Sequence, residues 1–452
     1  MISFFSNILK RDNSTTSLST TTERTPTNQL FRRCSKQCDH PNPLWQRFGL
    51  VWIPSNSNTH AKDLLYNLFS LPFYFGSLLD DITLHSQLLI NVGDAFIVNL
   101  KKEPPLSKAR WNLVVLARNE AIVKAKIIFS KSQFVLEKMP DLDIQSFIAE
   151  NNLNMIHKPW YLKESQILSD VGMKTQLAFG VGKEYLKQHF PLGDFQRRVL
   201  AIDKERKIPV FELSLAGLSI ERQKKCLGEA DRLRNFGNSF IWRIWGIIDD
   251  DINCKIIFEE IVYGSVREYV KSGSRNPYQL IGFLIQVAYG LSYLEQFEFI
   301  HFTFNIHSLI ITFNYNIKIS ITGNTKDGLV AEEPLYECEE SVRWHPAECL
   351  RISGGKERIG SLYDFKTIIF IFGNIVWSLF HEAETPFSEM EKEHVFDYEM
   401  RKDKEVDFKN DQTPTQLQKL IKKCWNKTPQ NRPSFPNIIK NLEKVYNSES
   451  SL

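Results

Sequence analysis

The stretch His301-Phe302-Thr303-Phe304-Asn305-Ile306-His307-Ser308-Leu309-Ile310 decides how this chain folds. It follows residues 280–294, whose apolar side chains recur at helical spacing. It precedes Lys318-Ile319-Ser320-Ile321-Thr322-Gly323, a short strand running into a glycine turn. The spacing predicts a helix, a polar loop and a strand in succession. The next carboxylate after Thr303 is Asp327, so the loop has no acid to act as a base. A threonine hydroxyl is not appreciably ionised near neutral pH and is no substitute.

Outward from this loop, the pattern divides the chain. Residues 11–30 are rich in Ser, Thr and Asn, and residues 1–42 read as a disordered tail, with order beginning near Pro43-Leu44-Trp45. Residues 81–90 and 142–150 have helical periodicity. Between them lie strands at 95–100, 111–117 and 121–129, the last two joined by the turn Arg118-Asn119-Glu120. Short strands run to about 215, a charged helix covers 220–235, and strands follow at 240–248 and 254–261. Beyond Tyr278 the pattern is helical, at 280–294, 365–380, 415–425 and 436–445. A β-rich region followed by a helical one gives an α+β fold class.

Composition narrows the function. The 452 residues are too many for one ordinary domain, and a 42% hydrophobic content supplies real cores. With 56 Lys and Arg against 53 Asp and Glu, no global field attracts nucleic acid. Seven scattered cysteines suit a reducing compartment, and Cys34, Cys38 and His40 lack a fourth ligand at zinc spacing. No run of about eighteen apolar residues is present to span a membrane. The expected location is cytoplasmic, with any recruitment to a membrane left to partners.

Several blocks carry a family resemblance. Glu259-Glu260-Ile261-Val262-Tyr263-Gly264-Ser265-Val266 resembles a protein-kinase hinge, and Gln286 to Leu294 resembles the helix before the catalytic loop. Val342-Arg343-Trp344-His345-Pro346-Ala347-Glu348 resembles the end of a tyrosine-kinase activation segment. Glu384-Thr385-Pro386-Phe387, then Cys424-Trp425 through Arg432-Pro433-Ser434-Phe435, complete a helical lobe. The resemblance covers residues 172–447 and implies a two-lobed kinase fold, with a β-rich N-lobe and a helical C-lobe.

The same resemblance places the chemistry. Phosphoryl transfer needs an Asp base, an Asn and an Asp on Mg²⁺, and a Lys on the phosphates. Thr303 stands at the base position, Ser308 at the Asn and Ile321 at the metal-binding Asp. Glu212 or Leu213, depending on register, stands at the Lys. Glu229 matches the helix glutamate that would pair with that Lys. Having lost its partner, it is expected to turn to solvent or to another base. The glycine-rich loop retains Gly180 and Gly182 and lacks a third glycine. Glu348 and Arg432 occupy the positions of a buried ion pair that ties the activation segment to the helical lobe. Ile368 falls where that lobe's long helix ordinarily has an Asp, with Asp364 one turn earlier.

Phe73-Tyr74-Phe75-Gly76, Asp94-Ala95-Phe96-Ile97-Val98-Asn99 and the two strands after them resemble a Src-homology-2 (SH2) domain over residues 71–160. One SH2 joined directly to a tyrosine-kinase-like domain most resembles the Fes/Fer-like non-receptor arrangement. Asn99 stands where the phosphotyrosine-binding arginine is expected, and Asp80 stands near a second basic position. Lys101, Lys102, Lys124 and Lys126 lie nearby, either as an altered anion pocket or as solvated lysines. Tyr336, beside Glu337, Glu339 and Glu340, is a candidate phosphorylation site or an unmodified loop tyrosine.

The expectation is an SH2–pseudokinase in tyrosine-kinase signalling. It would bind protein, a tyrosine kinase or its substrate, and need no cofactor or metal. The alternative is an active non-receptor tyrosine kinase that uses ATP and Mg²⁺.

Overall fold

The computed structural model describes residues 88–99, 111–117, 121–130, 133–157, 160–169, 194–233, 240–250, 253–296, 299–301, 304–312, 315–321, 342–350, 364–395 and 413–449, with 238, 397, 401 and 408. Met1–Ser169, Val199–Pro209 and Arg234–Ser239 form one compact unit. Asp170–Arg198, Val210–Leu233 and Phe240–Leu452 form a second.

In the first unit, β1 (Asp94–Asn99), β2 (Trp111–Leu116), β3 (Ile122–Ser130), β4 (Gln133–Leu136), β5 (Met139–Asp143) and β6 (Asn154–Met155) form a sheet of order β5-β4-β3-β2-β1-β6. Three of these strands were expected from alternation, and β4 to β6 extend the sheet on both sides. Ala95, Phe96 and Ile97 are fully buried, so β1 is covered on both faces. The helix expected at 142–150 begins later, as α1 (Ile144–Glu150). Asp143 caps it by accepting from the Gln145 and Ser146 amides at 3.0 and 3.1 Å, which leaves Leu142 in β5. Of the helix expected at 81–90, Leu88 is helical, Leu89 and Ile90 are not, and the rest lies outside the described residues.

A buried arginine organises this unit. Asp94 accepts from the Ile90 and Asn91 amides at 3.1 and 2.8 Å and from Asn154 at 2.6 Å. Arg206 pairs with Asp94 and Asp203 and donates to the Leu88 carbonyl at 2.7 Å.

Further along the chain are β7 (Ile167–Leu168), β8 (Asp194–Ala201), β9 (Lys207–Ser214), α2 (Ile220–Leu233), β10 (Ile244–Ile248) and β11 (Lys255–Glu259). The sheet order is β10-β11-β9-β8-β7. The strand expected at 240–248 starts only at Ile244. The backbone before it bonds elsewhere: Ile319 donates to the Phe240 carbonyl at 2.7 Å, and Trp242 donates to the Ile319 carbonyl at 2.9 Å.

After the sheet come β12 (Gly264–Ser265), α3 (Val266–Lys271), α4 (Pro277–Gln296), β13 (Leu309–Ile311) and β14 (Ile317–Ile319). The helices α5 (Phe365–Phe380), α6 (Lys392–Val395), α7 (Thr415–Cys424) and α8 (Phe435–Glu449) follow. A β-rich region before a helical one is the order the sequence predicts. α4 packs on α8, where Tyr278 stacks on Tyr446 at 3.9 Å and the Tyr289 hydroxyl bonds Glu443 at 2.9 Å. α5 is buried nearly all round from Thr367 onward and is the axis of the helical lobe.

Close approach fixes Gly373 on α5. A Cβ there would lie 2.9 Å from the Cys424 Cβ and 3.0 Å from the Trp425 indole nitrogen. A Cβ at Gly228 on α2 meets nothing within 4 Å. Gly373→Ala is therefore expected to lower the melting temperature, by about 1–3 kcal/mol of overpacking. Gly228→Ala is expected to raise it, by about 0.5–1 kcal/mol of helix propensity. Thermal unfolding of the two variants checks the opposite signs.

Candidate functional site

The loop that opens the sequence reading is built around the backbone of Ser320. His301 Nε2 bonds the Ser320 carbonyl at 2.7 Å, and the Ser320 amide donates to the Ser308 carbonyl at 2.8 Å. Asn305 caps the short turn Ile306–Ser308 by accepting from the His307 amide at 2.8 Å. These contacts hold the end of β14 against the loop and place Ile321 next to it, 2% exposed. His301 is fully buried, and burial pushes its pKa down to about 4 despite the Ser320 carbonyl, which pulls the other way. It is a neutral positioning residue at physiological pH. Phe302 and Thr303 lie outside the described residues, as do Gly180, Gly182 and Tyr336.

The β9 register sorts the candidate phosphate-lysine position. Phe211 stands opposite Phe258 and Leu213 opposite Ile256, so these four side chains share one face of the sheet. Glu212, opposite Ile257, points to the other face. There it lies 3.4 Å from Lys255 Nζ and 3.8 Å from Arg198 Nε. Glu212 is thus held in an ionic ladder across β8, β9 and β11, and Leu213 is fully buried among apolar groups. Neither offers a cation to a phosphate. Glu229 on α2 is fully buried, so of its two expected outcomes the turn to solvent is excluded.

The Leu213 face is filled with aromatic rings, which the sequence reading missed. Trp242 stacks on Phe258 with ring centroids 4.3 Å apart and planes at 17°. Phe195 of β8 lies 6.1 Å from Trp242 and 6.0 Å from Phe258. The Trp242 indole N–H donates to the Glu259 carbonyl at 2.9 Å, at the start of the hinge-like segment. Two residues beyond Phe195, Arg197 bridges to Glu260 at 2.8 Å. The signal available in the sequence was a run of bulky residues, Phe240 and Trp242 just before β10 and Trp245 within it.

A nucleotide with its magnesium does not fit these residues. A hard cation takes oxygen ligands, and Ile321 supplies a hydrocarbon. Ser308 supplies one neutral hydroxyl, which accepts from the Asn305 amide at 3.4 Å. Among the described residues, no group of three His, Cys, Asp or Glu side chains could hold a metal. The buried thiols are poor nucleophiles: burial pushes Cys226, Cys349 and Cys424 up to about 12.

The scaffold pair is brought together. Arg432 Nη2 lies 2.6 Å from Glu348 Oε1, and Arg432 also donates to the Asn426 and Lys366 carbonyls, both at 3.0 Å. Asp364 caps α5 by accepting from the Thr367 amide at 3.0 Å, while Ile368 is buried.

In the first unit, the Asn99 backbone ends β1 opposite Trp111. Lys124 is exposed on β3, and Lys126 pairs with Glu137. Lys101, Lys102 and Asp80 lie outside the described residues.

A family model described as protein tyrosine and serine/threonine kinase matches residues 196–442. The chain is 25% identical to the insulin-like growth factor 1 receptor of Xenopus laevis over 260 residues, 54% of this chain and 18% of that protein. It is 25% identical to ephrin type-A receptor 3 of Danio rerio over 262 residues, 56% of this chain and 25% of that protein. Against the insulin-like receptor of Drosophila melanogaster, identity is 22% over 382 residues, 77% of this chain and 17% of that protein. The chain thus spans a quarter or less of the length of these relatives.

The buried His301 predicts a pH dependence. Below pH 6.5 an unfolded histidine takes up a proton that the folded one refuses until about pH 4. Its contribution is present above pH 6.5 and is lost as pH falls towards 4, in total on the order of 3 kcal/mol. Urea unfolding between pH 7 and pH 4.5 should show a shallower fall for His301→Gln than for the parent chain. Equal slopes would contradict the assignment.

Proposed function

The chain belongs to the protein tyrosine and serine/threonine kinase family, and from that premise we propose that it acts by binding protein, without phosphotransfer. One observation carries this reading. The positions that would hold metal and phosphate are Ser308, Ile321 and Leu213, and the last two are buried hydrocarbon side chains. The fold around them is kept, including the Arg432–Glu348 pair at 2.6 Å. Removing one partner of such a buried pair costs about 3–5 kcal/mol, towards the low end here because Glu348 is partly exposed. A maintained scaffold around residues unsuited to catalysis supports a pseudokinase, a scaffold or allosteric regulator in tyrosine-kinase signalling. Its partner would be an active tyrosine kinase or a substrate of one.

We read the sheet and helix of the first unit as an SH2-like domain over residues 71–160, followed by a kinase-like region over 172–447. The relatives bear the name receptor, and that word is theirs. In this chain no described helix is long and apolar enough to cross a membrane. We keep the Fes/Fer-like arrangement as the reading of the domain order. With Asn99 in place of an arginine, the SH2-like domain would engage unphosphorylated peptide or bind phosphotyrosine weakly.

The test is incubation of the full chain with radiolabelled ATP, Mg²⁺ or Mn²⁺ and a tyrosine-containing polypeptide. The expected result is no incorporation above that of a heat-denatured control. Incorporation that disappears in Thr303→Ala or Glu229→Gln variants would replace this reading with that of an active tyrosine kinase.

A further inference from the structure

We infer that Trp242 is an internal ligand of the kinase-like region, seated where a planar bicyclic heteroaromatic with an N–H edge would bind. The inference rests on the non-catalytic reading above and says what occupies the site. In a kinase the lysine of the third strand meets the nucleotide phosphates, so the face bearing that position is the nucleotide's. Here it is the Leu213 face, shared with Phe211, Ile256 and Phe258. Trp242 meets this face as a bound ligand would, in two ways. Its ring lies nearly parallel to Phe258 at 4.3 Å, a close stacked approach just short of the usual aromatic separations. Its one polar atom, Nε1, donates to the Glu259 carbonyl at 2.9 Å. The indole is 2% exposed, and Phe195 lies beside it.

Two further features hold the ring in place. The Trp242 backbone is bonded to Ile319 at 2.9 Å, which anchors the indole close to its seat. A tethered donor of this kind acts at an effective concentration on the order of millimolar or above, so a free ligand must compete with it. The Arg197–Glu260 pair at 2.8 Å joins β8 to the hinge-like segment beside the ring. The carbonyl and the stacking surface are satisfied from within the chain. The seat therefore selects for indole-like or purine-like shape only after the tryptophan is removed.

The experiment is chemical rescue of the full chain bearing Trp242→Gly. Millimolar indole is expected to raise the melting temperature of the variant by several degrees and to leave the parent chain unmoved. Benzothiophene, of the same shape without the N–H, is expected to bind roughly 3–10-fold more weakly, as loss of one net hydrogen bond implies. A parent chain stabilised by indole as much as the variant would overturn the inference, as would a folded variant that indole does not stabilise. If Trp242→Gly does not fold, hydrogen exchange of the parent's indole N–H groups decides, with the resonance assigned by Trp242→Phe. Slow exchange at Trp242 supports the seat, and exchange as fast as an exposed indole overturns it. Uptake of indole by the parent chain would sink the internal ligand alone, whereas phosphate incorporation would sink the reading beneath it.

Discussion

The backbone of residues 319–320 is the constraint on which the kinase-like region depends. Ser320 is held from two sides, by His301 at 2.7 Å and by the Ser308 carbonyl at 2.8 Å. One residue earlier, Ile319 exchanges backbone bonds with Phe240 and Trp242 at 2.7 and 2.9 Å. The same short strand thus fixes the loop that would carry catalytic groups and the segment that carries Trp242. Gly290 on α4 permits this closeness, because a Cβ there would lie 2.7 Å from Ile319 Cδ1. Shared anchoring explains how His301 and residues 304–308 are held against β14. Backbone bonds and a neutral buried histidine supply this anchoring, and none of these needs a bound metal.

The charged groups in this region have been drawn into structure. Glu212 serves a ladder with Lys255 and Arg198, Asp364 caps α5, and Glu260 holds Arg197. These three carboxylates already have a cation or a helix end to satisfy them. Hydrocarbon and aromatic groups fill what remains. Ile321 and Leu213 are buried, and Phe195, Phe258 and Trp242 form the stack. Burial of such groups favours folding through the hydrophobic effect, where a nucleotide site would leave polar groups awaiting a partner.

Legibility from sequence follows contact range. The helices at 365–380 and 415–425 were readable because helical periodicity is local, and the structure places α5 and α7 within a residue of those bounds. The first helix boundary was misread because Asp143 is a cap, which periodicity does not report. The aromatic stack was not readable. Trp242 meets Glu259 across 17 residues and Arg197 meets Glu260 across 63, and no local pattern links them. The Glu212 or Leu213 ambiguity had the same origin. A one-residue slip inverts every side chain of a strand, and pairing with β11 was needed to show which face each residue takes.

The most direct measurement is equilibrium dialysis of the full chain against radiolabelled ATP, with and without Mg²⁺. The account predicts no saturable retention in either condition, because the stacking surface and the hinge carbonyl are already taken by Trp242. Saturable retention that strengthens with Mg²⁺ would contradict it, since it would require oxygen ligands and an open face that Ile321 and the aromatic stack do not provide.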